Sequence, residues 1–205
     1  MRMKELTVDP AELCAIAPAG FYLAIRIGFA FPMVELNHLP ASWVREYTAG
    51  GLMVHDPAMS WAYKNSGTAR WSDLVASDSL GVLDLAKDHG LEYGAVVSCT
   101  DRNDASQRSF GLFCRSDREY DVRELTWLGD RLGEYHRLHA RPANLTSAEL
   151  ETLGLVKNGL LMKEIACILN VSESAIKQRL KNARLKLNAK TGPQAAAMAT
   201  MFGMI

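Results

Sequence analysis

The stretch Lys163–Leu187, KEIACILNVSESAIKQRLKNARLKL, decides how the last third of the chain folds. It predicts two helices at a tight turn. The first, Met162–Leu169, places Ile165, Ala166 and Leu169 at helical spacing. Asn170 follows where the chain must turn sharply, and Asn tolerates a left-handed backbone better than other non-Gly residues. Ser172 has the chemistry of an N-cap, with Glu173 against the positive end of the next helix dipole. In that second helix Ile176, Leu180, Ala183 and Leu187 step by four, three and four residues and make one apolar face. Lys177, Lys181 and Arg184 follow one position on as a basic stripe, which Arg179 and Lys186 widen. The bland reading is an amphipathic helix with a solvated basic side. The preceding helix and short turn favour a helix held from behind, with its cations free for a DNA major groove.

Around this core, Thr146-Ser-Ala-Glu149 is a capping-box pattern, in which each end satisfies a free N–H of the other. Leu150, Leu153 and Val156 are expected to face inwards, and Gly159 to end that helix. Gly192-Pro193 begins a last helix, Gln194–Phe202. The region resembles the C-terminal helix-turn-helix of LuxR-type transcription regulators. Leu145-Thr146, Glu149, Gly159, Lys163-Glu164-Ile165-Ala166, Leu169, Val171-Ser172, Ile176-Lys177, Lys186-Leu187, Ala195-Ala196 and Gly203 carry the resemblance. Arg179 stands where that family often has His. The resemblance implies a DNA-binding domain whose contacts would come from Lys177, Arg179, Lys181, Arg184 and Lys186.

Across all 205 residues, 23 basic and 23 acidic side chains cancel. The halves do not: residues 141–205 carry nine Lys/Arg against four Asp/Glu, and residues 1–140 fourteen against nineteen. A basic end on a mildly acidic body fits a DNA-binding module attached to another domain. No apolar run reaches the length of a membrane span, and MRMKELTVDP lacks the apolar segment of a signal peptide, so a cytoplasmic protein is expected. Cys14, Cys99, Cys114 and Cys167 show no CxxC and no paired spacing, which indicates neither zinc nor a disulfide framework.

Ahead of Arg141-Pro142-Ala143-Asn144, the expected linker, helices and strands alternate. Asp9–Ala17 reads as a short helix, and Gly20–Phe31 with Met33–Leu36 as two strands in a hairpin. Ser42 can cap a helix carrying Trp43 and Tyr47 on one face, before Gly50-Gly51 breaks it. Asp56-Pro57 starts another helix to Tyr63, since Pro suits the first turn. A loop with Gly67 leads to Trp71. Leu80–His89 reads as a helix stopped by Gly90, and Tyr93–Thr100 and Ser109–Arg115 as strands joined by a polar loop. Asp121–His139 closes the domain as a helix with Val122, Leu125, Leu128, Leu132 and Tyr135 in one stripe. Such a stripe is more often core than a dimer seam.

Trp43, Tyr47, Asp56 and Trp71 taken singly are core residues and a helix start. Together they supply two indoles, a phenol and a carboxylate to a pocket, able to hold a neutral amide through both its N–H and its C=O. The spacing W-x3-Y-x8-DP-x13-W, with His89-Gly90-Leu91 and Gly94, resembles the autoinducer-binding domain of quorum-sensing LuxR-type proteins. The resemblance implies an acyl-homoserine lactone as small-molecule signal. Trp43 would donate to its lactone carbonyl, Asp56 would accept from its amide N–H, and Tyr47 and Trp71 would wall the pocket. Leu39 replaces a Tyr common in the family, and Cys114 takes the place of a strand hydroxyl.

The five histidines, His38, His55, His89, His136 and His139, include no HExxH, and there is no GxSxG, P-loop or GxGxxG. His136 and His139 are expected on a solvated face rather than at a metal. The expected fold is α+β: an α/β/α sandwich sensor domain at 1–140, a linker at 141–144, and an all-α four-helix helix-turn-helix domain at 145–205. The expected protein is a transcription regulator, not an enzyme, without a cofactor, that binds its signal and double-stranded DNA as a homodimer. The alternatives are a ligand-independent or inhibitory relative acting through heterodimers, and a small-molecule enzyme fused to a DNA-binding domain.

Overall fold

The computed structural model describes residues 8–27, 31–101, 107–140 and 144–205. The chain forms two compact units, Met1–Ala140 and Arg141–Ile205. Of the expected linker, Arg141–Ala143 lies outside the described residues.

The first unit is built on a five-stranded antiparallel sheet in the order β2-β1-β5-β4-β3. Its strands are β1 (Gly20–Ile27), β2 (Pro32–Asn37), β3 (Gly67–Arg70), β4 (Tyr93–Thr100) and β5 (Arg108–Arg115). Helix α1 (Pro10–Ile16) precedes them. Helices α2 (Ala41–Ala49), α3 (Pro57–Lys64) and α4 (Val82–Lys87) lie between strands in the chain, and α5 (Val122–Leu138) follows. Strand alternation sorts side chains into two cores. Phe21, Leu23 and Ile25 join Ala95, Val97 and Phe113 under α5. Ala24, Val96, Leu112 and Cys114 face the other way, towards α2, α3 and α4. Central strands buried on both faces read as nearly continuous apolar runs, as β1, β4 and β5 do. The result is the expected α/β/α sandwich.

On α5, Leu125, Leu128, Leu132 and Tyr135 are buried against this unit's own sheet, so the stripe is core and not a free seam for a second subunit. Val122 is a correction. It lies a turn before that contact begins and is 70% exposed.

Three further expectations change. Helix α2 starts after Pro40, and Ser42 caps nothing; its Oγ lies 2.9 Å from His89 Nδ1, while His89 Nε2 lies 2.8 Å from Glu46 Oε2. The loop at Gly67 is an edge strand, β3, paired with Ala95–Ser98. Four residues are too few to show an alternation. His136 is only 4% exposed, not solvated. Its Nδ1 is 2.7 Å from Ser109 Oγ and its Nε2 3.2 Å from Asp101. Ser109 Oγ also accepts the amide of Arg26 (2.8 Å). Burial, and then the Arg26 charge, hold His136 below the usual histidine range. Arg26 sits at a bulge in β1, at φ +52°, and is nearly fully buried. A buried guanidinium must be paired, and Arg26 bonds the His136 carbonyl (2.8 Å) and the Asp101 carboxylate.

The second unit has α6 (Ser147–Lys157), α7 (Met162–Ile168), α8 (Glu173–Lys186) and α9 (Gly192–Met201). Its local signals act as read. Thr146 and Glu149 make the capping box, Asn170 takes φ +52°, and Ser172 Oγ accepts from the Ala175 amide. Ile176, Leu180, Ala183 and Leu187 are buried with Leu153, Ile165, Ala195 and Ala199. On α6, however, Leu150 and Val156 are half-buried while Glu149 and Thr152 are buried. The reason is that Glu149 turns in to its cap and to Lys186.

Glu124 closes the α5 capping box and accepts from Arg118 and Arg115 (2.8 Å each). Arg118, then the Asp121 amide and Arg115, outweigh burial and hold its carboxyl at about 2, against an ordinary 4.5. Between those pH values the unfolded chain binds a proton that folded Glu124 refuses, so acid favours unfolding there. Glu124→Gln should lower stability at neutral pH and flatten its fall between about pH 4.5 and 2. Urea melts of both proteins across that range check this; equal slopes would remove Glu124 from the acid response.

Candidate functional site

Trp43, Tyr47, Asp56, Trp71 and Cys114 all line one cavity of about 190 Å³ between the sheet and α2, α3 and α4. Trp43 and Tyr47 stand one turn apart on α2, ring centroids 5.2 Å apart. Asp56 is the N-cap of α3, where Pro57 fixes the first turn. Its Oδ1 accepts the amides of Ala58 (2.7 Å) and Met59 (3.3 Å), and its Oδ2 accepts the Tyr47 hydroxyl (2.8 Å). Only 4% of Asp56 is exposed. Burial raises its carboxyl above the usual range, against the pull of those three hydrogen bonds. Burial, and then the Asp56 charge, push the Tyr47 phenol upward as well, so it stays a donor.

Trp71 opens a 3-10 turn directly after β3. Its indole lies flat against the β4 backbone because position 94 is glycine; a Cβ there would stand 2.1 Å from indole Cδ2. The indole Nε1 is buried without a hydrogen-bond partner among the described residues. Cys114 lies in register with Gly20 on one side and Gly94 on the other. Burial, then the nearby Asp56 charge, drive its thiol far upward, which makes it a small neutral floor residue.

Sequence reasoning missed the polar rim. Tyr22 and Asn37 line the same cavity, and Tyr22 is in register with Asn37 on β2 and Leu112 on β5. Tyr22 donates to Glu35 at 2.8 Å. Only the pairing of β1 with β2, which one strand's alternation does not reveal, brings them together. Leu39 lines the cavity too.

On α8, Lys177, Lys181 and Arg184 are exposed and form no ion pair among the described residues. Arg179 is half-buried, with Nη1 buried and without a hydrogen-bond partner among the described residues. Lys186 departs from the expected stripe. Its ammonium lies 2.8 and 3.0 Å from the Glu149 carboxylate oxygens, because that buried acid needs a counter-charge. Burial would raise Glu149, but Lys186 and the Thr146 cap together hold it below the usual range. No group of three or more His, Cys, Asp or Glu among the described residues is placed to hold a metal ion. No helix there is long and apolar enough to cross a membrane.

Comparison with known proteins gives the same division of labour. Residues 32–135 match the autoinducer binding domain, and residues 143–199 match the bacterial regulatory proteins of the luxR family. The chain belongs to the LuxR family. The transcriptional activator protein VanR of Vibrio anguillarum is 30% identical over 186 residues, 82% of this chain and 76% of the relative. The regulatory protein SdiA of Escherichia coli (strain K12) is 26% identical across 100% of this chain and 87% of its own length. A crystal structure of SdiA covers 100% of this chain and 93% of that one at a TM-score of 0.53 and 26% identity. Another, of SdiA in complex with octanoyl-rac-glycerol, has a TM-score of 0.52 at 25% identity, over 97% of this chain and 89% of that one. As a LuxR-family chain, this protein is a transcription regulator that joins an autoinducer-binding domain to a DNA-binding helix-turn-helix.

Gly94→Ala tests the Trp71 wall. The added methyl must displace the indole, since the three atoms nearest to it all belong to the Trp71 ring rather than to a flexible chain end. Overpacking of this kind costs about 1–3 kcal/mol. Urea melts should show that loss, together with a change in Trp fluorescence. An unchanged melt and spectrum would mean that the indole does not depend on Gly94.

Proposed function

We propose that the cavity under α2 and α3 binds an acyl-homoserine lactone and that the occupied protein acts on DNA in the cytoplasm as a homodimer. The observation that carries this reading is Asp56. A buried carboxyl group faces an otherwise largely apolar cavity, with one oxygen committed to the α3 cap and the other holding a single hydrogen bond. Carboxylate oxygens have room for a further donor, and an amide N–H is a neutral one. Trp43 would donate its indole N–H to the lactone carbonyl, Tyr47 and Trp71 would flank the ligand, and Cys114 would floor it. That a relative of the same fold, SdiA, is seen with octanoyl-rac-glycerol supports an amphipathic acyl molecule as the class. Binding to the native state alone adds stability, about 2.7 kcal/mol at a hundredfold excess over Kd. Lys177, Lys181 and Arg184 would meet the DNA, with Arg179 at the edge of the contact. Lys186 is left out of that set.

Asp56→Asn separates a ligand anchor from a helix cap. Asn caps about as well as Asp, and its amide N–H can turn to the Tyr47 oxygen, so the fold should hold. The ligand N–H then faces a donor and loses a charge-assisted bond of about 1.5–3 kcal/mol, at least about tenfold in affinity. Trp43→Phe should give a smaller loss. Titration of an acyl-homoserine lactone series, with octanoyl glycerol alongside, into wild type and both variants checks this. Equal affinities in all three would remove the assignment, and no binding by wild type would favour a regulator that works without a lactone.

For DNA, Lys177→Ala and Lys181→Ala should each reduce the slope of log K against log salt by about 0.9 if a phosphate contact is lost. A lost base contact would instead cost about 1–3 kcal/mol of discrimination. Unchanged affinity and slope in both variants would place the DNA face elsewhere.

A further inference from the structure

Beside the exposed cations of α8 runs a groove of about 410 Å³ that phosphate binding does not explain. Leu161 and Met162, at the start of α7, form its exposed apolar bed over the buried Leu180 of α8, and Lys177, Lys181 and Arg184 stand along it. Leu161 is 59% exposed and Met162 44%. Leu161 occupies the N-cap position of α7, where a polar side chain would cap the helix; here Glu164 bonds the Leu161 amide instead (2.7 Å) and the leucine side chain caps nothing. Two large apolar side chains therefore sit in solvent at a position where local helix chemistry favours Ser, Thr or Asp. DNA backbone contacts call for cations and hydrogen-bond donors, not for this bed.

An apolar bed along a row of unpaired cations matches one class of partner. We propose that this groove docks an amphipathic helix with acidic flanks, presented by another protein, and that the docked helix excludes DNA from α8. Its apolar face would lie on Leu161 and Met162, with apolar residues at i, i+3/i+4 and i+7. Its carboxylates would meet Lys177, Lys181 and Arg184, which pair with nothing else among the described residues. Exclusion follows because the same three cations serve both partners. The inference rests on the reading of α8 as the DNA face only for this last step.

The test uses the full chain and a synthetic helical peptide of about 18 residues, five turns, with Leu at those anchor spacings and Glu on both flanks. A second peptide keeps the leucines and carries Lys instead. Wild type should bind the Glu peptide, ignore the Lys peptide, and release labelled duplex DNA as the Glu peptide is added. The double variant Leu161→Ser, Met162→Ser should lose at least about tenfold in peptide affinity, 1.4 kcal/mol, while its DNA affinity stays within about twofold. Both side chains are exposed, so the variant should melt with wild type. No binding of the Glu peptide, or equal binding by the double variant, overturns the groove. A matching loss of DNA affinity in the variant also overturns it and assigns the bed to the DNA contact, through base methyl groups. Peptide binding that leaves DNA in place overturns the exclusion. Absence of DNA binding by wild type would instead overturn the α8 assignment, since the direct peptide titration involves no DNA.

Discussion

A single buried carboxylate ties the sensor unit's pocket to its fold. Asp56 caps α3 with one oxygen and holds α2 through Tyr47 with the other. Taking a carboxylate out of water costs several kcal/mol unless hydrogen bonds replace its hydration. Here two come from the helix N-terminus, where the dipole also favours negative charge. The charge remains under-solvated, as the raised carboxyl shows. Because the folded form resists ionisation, charging Asp56 works against the fold as pH rises above the ordinary 3.8, and each added donor to its oxygens relieves that cost. A ligand N–H is such a donor. With the proposed ligand bound, occupancy and folding would be coupled through this one side chain.

The cavity itself exists because the sheet is thin at one row. Gly20, Cys114 and Gly94 lie side by side across β1, β5 and β4. Gly94 lets the Trp71 indole rest on bare backbone, and Gly20, at φ +123°, lets the His38 carbonyl come within 2.5 Å of where a Cβ would be. Larger side chains on this row would fill the space between sheet and helices. The next row on that face, Asn37–Tyr22–Leu112, is wide and partly polar and lines the cavity's other side. Small and large rows in succession make a hollow with a polar rim.

How far the sequence revealed this depended on the range of each interaction. Short-range chemistry was legible: the Thr146–Glu149 box, the Asn170 turn, the Ser172 cap and the apolar face of α8 each need only neighbours within a few residues. Trp43 and Tyr47 on one helix face, and Asp56 before Pro57, are of the same kind. What stayed hidden was pairing across the fold. Arg26 reads as an interruption of an apolar strand, yet it is fixed by Ser109, Asp101 and His136, the last 110 residues away. His136 looked solvated for the same reason, and Tyr22 gave no sign of facing Asn37. The cap of α4 was also hidden, because Asp78 reaches forward to the Val82 and Leu83 amides across a left-handed Gly81.

Lys186 shows why a charge pattern alone overstates a binding face. It lies beside the Lys177–Lys181–Arg184 stripe in sequence, but it follows Arg184 by two residues, about 200° round the helix, which turns it to the other face and to Glu149. Glu149 cannot be dispensed with, because its carboxylate closes the cap of α6 and is almost fully buried there. An uncompensated buried carboxylate is strongly destabilising, so the nearest cation on α8 is drawn into the fold. The helix thus divides its basic residues by position: Lys186 fastens α8 to α6, while Lys177, Lys181 and Arg184 are exposed and form no ion pair among the described residues. Fastening α8 from behind is also what lets its exposed side meet another molecule as a rigid surface. The internal ion pair and the open cations are two parts of one arrangement, in which Lys186 is given up to the fold and Lys177, Lys181 and Arg184 stay exposed.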